Sequence, residues 1–338
     1  LIAYACALFL AAALMFAVQP MFGKIVLPFL GGSPAVWNTE VAFCQGVLLL
    51  GYLYTHLSTR WLGVRRQVIV QWLLLLLPLL VLPIAVPAGW SPPGEGHPVL
   101  WLLSVLSWAL GLPFFVLATC SPMLQRWFAG TGHHQAGDPY FLYAASNAGS
   151  LLGLLSYPIL VEPYLALQTQ SWIWSCGYGA LVVLILACSV TVVRVPAISL
   201  EEAVQDIQTP VIGPASETQR PIATGRRLRW VLFAFVPSSL MLSVTTYLSI
   251  NIAPVPLFWV VPLSLYLISL ILVFARRQVF THEMTLRIFP IAVISLICLL
   301  VLHAARPIGL MFPLHLLTFF VVAVACHGAI ARDRPRTS

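Results

Sequence analysis

The residues able to do chemistry are few, because only 8% of this 338-residue chain is charged. Glu40 stands out first. It follows Asn38 and Thr39 in "GGSPAVWNTE", directly ahead of the apolar run "VAFCQGVLLLGYLY". A carboxylate inside a membrane helix is costly and by default marks a proton, ion or substrate path. Ser33 supplies an N-cap and Pro34 the first helical position, so Glu40 lies about two turns in, roughly 10 Å at 1.5 Å per residue. At about 100° per residue, Asn38 and Gln45 share one face. Glu40 shares the other with Cys44, Val47 and Gly51, and only one of these faces is expected to line a cavity. Trp37 is expected at the interface as an anchoring aromatic. Glu162, just before Pro163, and Glu95 make the same side of the chain acidic, which suits a cationic solute.

Other polar groups recur at helical spacing. Ser239, Ser243 and Thr246 form a stripe that either satisfies backbone groups around Pro237 or lines a polar cavity. Ala145, Gly149 and Gly153 recur every four residues, a small-residue face that lets another helix approach closely. Asn147 lies farther round the same helix and is a further pathway candidate. His315 and His327 share one apolar run about three turns apart, and His133 and His134 are adjacent in a loop. The seven cysteines, with no CxxC pair, read as small buried hydrophobes rather than metal ligands. No metal or cofactor is expected.

These residues need a membrane to hold them. The chain is 60% hydrophobic with mean hydropathy +0.95, against roughly 25% charged residues in a soluble domain. Apolar runs suited to spanning helices cover 3–22, 35–56, 68–86, 99–121, 140–161, 172–193, 229–250, 255–274, 286–304 and 310–330. The expected fold class is therefore all-α, a polytopic bundle of about ten transmembrane helices. Residues 1–193 form a first six-helix half, 194–228 a cytoplasmic linker with a short amphipathic helix, 229–331 a second half of four helices, and 332–338 a cytoplasmic tail. Another short amphipathic helix, "SPMLQRWFAG" at 121–130, is expected on the inner interface.

With both termini inside, every arginine except Arg306 falls on the inner side, and the outer side holds only Lys24 and Arg306. The net charge of +7 is thus an orientation signal, placing the chain in a cell inner membrane with N- and C-termini cytoplasmic. No arginine-rich stripe with interleaved aromatics points to nucleic acid. The inner segment "YTHLSTRWLGVRRQ" carries Arg60, Gly63, Arg65 and Arg66. It loosely matches the gating loop of the major facilitator superfamily, without that loop's acidic residue.

Several longer stretches share one likeness: "VQPMFGKIVLPFLGGSPAVWNT", "GLPFFVLATCSPMLQRWF", "DPYFLYAASNAGSLLGLLSYPILVEP", "LRWVLFAFVPSSLMLSVTTYLS" and "CHGAIARDRP". Together they resemble the membrane portion of bacterial fused major-facilitator/spermidine-synthase-like proteins. The resemblance implies a major-facilitator-like layout of six plus four helices, with the second half incomplete. It also implies a soluble aminopropyltransferase-like domain beyond Ser338. No catalytic motif is found, so no enzyme activity is expected of this chain itself.

Two functions follow. One is a transporter-like module that moves a small cationic solute, such as a polyamine, by alternating access. The other is a non-transporting anchor or scaffold for the spermidine-synthase-like domain. The expected partners are the lipid bilayer, a small cationic solute and that enzyme domain.

Overall fold

The computed structural model describes residues 1–31, 33–91, 98–131, 140–193, 224–251, 259–274, 282–301 and 308–333. Among these residues the chain is helical and contains no strand. Among the described residues, seven helices are long and apolar enough to cross a membrane. Large apolar side chains such as Ile69, Leu80, Trp108, Ile159, Val183 and Ile291 lie on the outside, as a helical bundle in lipid requires. The chain divides into two compact units, Leu1–Pro210 and Val211–Ser338. His133, His134, Glu95 and the expected linker helix after Ser199 lie outside the described residues.

In the first unit, α1 (Ile2–Leu30) is longer than the span read from the sequence, continuing through Pro20 and Pro28. α2 (Pro34–Leu76) follows. It is broken at Gly63, whose φ of 67° and ψ of 168° lie in a region open essentially to glycine alone. The break makes two limbs, 34–62 and 64–76, in place of the expected loop between two full spans. The second limb ends in a 3₁₀ turn, Leu77–Leu80, so the expected span over 68–86 is cut short. Pro78 lies in that turn and cannot continue an α-helical ladder.

Next come α3 (Pro98–Leu106) and α4 (Leu112–Ala129), joined by a π-helical turn, Ser107–Gly111. They form one span, Pro98–Ala129. The separate interfacial helix expected at 121–130 is instead the last turns of α4. Its apolar face of Met123, Leu124, Trp127 and Phe128 is fully buried in protein. α5 (Tyr140–Ser156) runs through a second π turn, Tyr157–Val161, into the short α6 (Glu162–Tyr164). Proline sits within or just after each π turn, at Pro158 and Pro113, where the helical ladder already lacks a donor. α7 (Leu167–Val193) completes the unit.

α1 packs against α5, α7, α4 and α2, which is why it is apolar on every side. The tightest approach is to α5. A Cβ on Gly149 would lie 2.2 Å from the Phe9 carbonyl oxygen, and one on Gly153 2.4 Å from that of Ala13. Polar anchors hold the other sides. Trp174 donates its indole N–H to the Leu14 carbonyl at 2.9 Å, and the Tyr4 hydroxyl donates to that of Cys188 at 3.1 Å. The second limb of α2 is held by buried amides. Gln67 Nε2 donates to Ser58 Oγ and Thr59 Oγ1, both at 2.9 Å, and Gln67 Oε1 accepts from the Trp127 indole at 3.3 Å. Gln71 Nε2 donates to Thr119 Oγ1 at 2.9 Å.

The second unit holds α8 (Thr224–Asn251), α9 (Val260–Phe274), α10 (His282–Val301) and α11 (Ile308–Asp333). α11 contacts the other three. Asp333 ties its end to the start of α8, lying 3.1 Å from Arg226 Nε and 3.2 Å from Arg229 Nη2 and accepting from the Trp230 indole at 2.9 Å. His327 Nδ1 meets Ser269 Oγ at 2.9 Å, joining α11 to α9.

Candidate functional site

Glu40 is the most conspicuous polar group of the first unit. It lies in the second turn of α2 and is only 2% exposed. Neither carboxyl oxygen has a hydrogen-bond partner among the described residues. α1 makes the room for it. A Cβ on Gly23 would lie 2.0 Å from Trp37 Cζ3 and 3.1 Å from Glu40 Oε2, so only glycine lets these two side chains reach the α1 backbone. Trp37 is therefore buried against α1, not displayed at the interface as expected, because the notch at Gly23 accepts its ring.

The face of α2 that turns inward is now defined. Glu40 and Cys44 are buried, and Gly51 abuts Ala118 of α4, where a Cβ would approach Ala118 Cβ to 2.7 Å. Gln45, on the opposite face, is exposed, and Asn38 is half-buried. The pair Asn38 and Gln45 thus does not join Glu40 in one cluster.

Two further elements close in on Glu40. Tyr157, fully buried in the π turn after α5, is within electrostatic reach of both Glu162 and Glu40. Its hydroxyl donates to Gln170 Oε1 at 2.9 Å, and Gln170 Nε2 in turn donates to the Leu165 carbonyl at 2.8 Å. Glu162, at the start of α6, pairs with Lys24 of α1 at 2.5 Å. Glu162 is therefore a partnered acid, and Glu40, the other described acid of the first unit, is in no ion pair among the described residues. The chain thus brings Gly23, Lys24, Trp37, Glu40, Tyr157, Glu162 and Gln170 to one end of the unit. Of these, Gly23, Tyr157 and Gln170 escaped the sequence reading. The one available signal was a buried-type aromatic, Tyr157, placed against Pro158.

The remaining candidates lie elsewhere. Gly149 and Gly153 form the backbone contact with α1, and Ala145 and Asn147 are half-buried on α5. Ser239 and Ser243 are exposed on α8, where the Ser243 hydroxyl donates to the Ser239 carbonyl at 3.0 Å, and Thr246 is half-buried. The interior polar groups of the second unit are different ones, Thr245, Ser264, Ser269, His315 and His327 among them. Arg60 ends the first limb of α2, Gly63 is the break, and Arg65 and Arg66 open the second limb, all four exposed.

Comparison with known proteins adds nothing to this geometry: no family model, curated protein or solved structure matches the chain.

Proposed function

We propose that this chain is a transporter-like membrane module, in which Glu40 binds a proton and a small cationic solute in turn during alternating access. One observation carries the reading. Glu40 is buried at 2% exposure with both carboxyl oxygens unpartnered. An ionised carboxylate taken out of water without a donor costs several kcal/mol. Such a group is stable when it holds a proton or a cation, and exchanging one for the other is the elementary step of a coupled carrier. The Lys24–Glu162 pair beside it, joining α1 to the start of α6, is the contact that opening on this side would break.

The fuller layout belongs to the same proposal. It has about ten spans arranged six plus four as in major facilitators, cytoplasmic termini, and a polyamine as the cationic solute. The family resemblance of the sequence and its basic inner loops support it.

The test is uptake of radiolabelled spermidine into proteoliposomes driven by an imposed pH gradient. The unsubstituted chain should accumulate spermidine and Glu40→Gln should not, while keeping its helical circular dichroism. Equal accumulation by both proteins, or by neither, overturns the transport reading.

A further inference from the structure

At the opposite end of the same unit lies a cavity of about 800 Å³, between the end of the first limb of α2, the end of α4 and the start of α5. Its wall includes Tyr52, His56, Arg60, Gln125, Arg126 and Tyr143, and among the described residues no acid. Arg126 sits in the last turn of α4, where the helix carbonyls favour a cation. The side chain is half-buried, and among the described residues its buried Nε and Nη2 atoms have no hydrogen-bond partner and it forms no ion pair. The neighbouring polar groups are already engaged. Thr55 and Thr59 donate to backbone carbonyls, and Gln125 donates to Ser121. The wall is therefore basic, with no acidic side chain among the described residues, and flanked by two tyrosine rings.

A guanidinium withdrawn from water needs a counter-charge. Here the cavity supplies room for one, and the described residues supply none. Arginine forks match phosphate oxygens in geometry as well as charge. Basic pockets between membrane helices bind phosphate headgroups in this way. We infer that this cavity binds a phosphate-bearing ligand, with Arg126 and Arg60 as the charged contacts and His56 as a third donor. The cation site at Glu40 is separate from it, so the inference stands without the transport reading.

The phosphate could come from a phospholipid headgroup or from a soluble phosphate ester, and the experiment distinguishes them. Detergent-purified chain is titrated with phosphatidylglycerol in mixed micelles and, separately, with glycerol 3-phosphate. Binding is read by native mass spectrometry and calorimetry. Saturable binding of either probe is expected, weakened about tenfold or more in Arg126→Gln and unchanged in Arg287→Gln, which removes an exposed arginine from α10. Binding of the first probe alone assigns a lipid headgroup, and binding of the second a soluble ester. If Arg126→Gln does not fold, Arg60→Gln reads the same site from an exposed side chain. Failure of both probes to bind, or equal affinity in the arginine variants, overturns the inference.

Discussion

The contact between α1 and α5 gives a prediction whose sign and size both follow from geometry. Substituting Gly149 or Gly153 by alanine would put Cβ 2.2 or 2.4 Å from a carbonyl oxygen of α1. Carbon atoms normally keep about 3.5 Å from such neighbours, so the helices must separate by about 1 Å. The obstacles are backbone atoms, Phe9 and Ala13, with no rotamer to change. Overpacking of this kind costs about 1–3 kcal/mol. Gly46 and Gly179 are the controls, because a Cβ at either meets nothing within 4 Å. There alanine should stabilise the helix by up to about 1 kcal/mol. The assay is SDS titration of the protein in dodecyl maltoside, followed by tryptophan fluorescence. Trp174 is a suitable reporter, since its indole is hydrogen-bonded to Leu14 of α1. Gly149→Ala and Gly153→Ala should lower the midpoint while Gly46→Ala and Gly179→Ala hold or raise it. Shifts of the same sign and size in all four would refute the close-contact argument.

Two further outcomes are expected in the same titration. Gly63→Ala should destabilise the first unit by about 1–3 kcal/mol, because φ 67° with ψ 168° is strained for any residue with a side chain; an unchanged midpoint would remove the strain. Gln67→Leu should cost about 1–3 kcal/mol by leaving the Trp127 indole without its acceptor, whereas Gln67→Leu with Trp127→Phe should recover part of that loss. Strict additivity of the two changes would show that the bond contributes nothing.

Much of the helical order was readable from hydropathy, because an apolar run of about 20 residues has few alternatives in lipid. What a helix faces was less readable. The segment 121–130 carries an apolar stripe that suits a membrane surface or a protein core equally well. Only the neighbours of Met123 and Trp127 decide for the core. Likewise, α2 offered two polar faces by periodicity alone. The inward one was fixed by Gly51 meeting Ala118 and by the notch at Gly23, which are contacts between segments distant in sequence. Gly63 shows the same limit at one residue. A glycine in "RWLGVRR" signals a turn, but the chain remains helical up to it and resumes at once, so no loop separates two full spans.

The two polar ends of the first unit follow from one element. Glu40 opens the first limb of α2 and Arg60 closes it. Twenty residues at about 1.5 Å each set them roughly 30 Å apart, which is the thickness of a bilayer core. A single helix thus carries an unpartnered acid towards one membrane face and a base-lined cavity towards the other. The two proposed sites would therefore select ligands of opposite charge, and they share no residue. Communication between them would have to pass along α2 itself. The inward face of that limb is built for rigidity, from Cys44 to Gly51 against Ala118, and Thr55 and Thr59 each donate back into their own helix. Beyond them the helix is broken at Gly63, and the buried amides of Gln67 and Gln71 hold the second limb across the break.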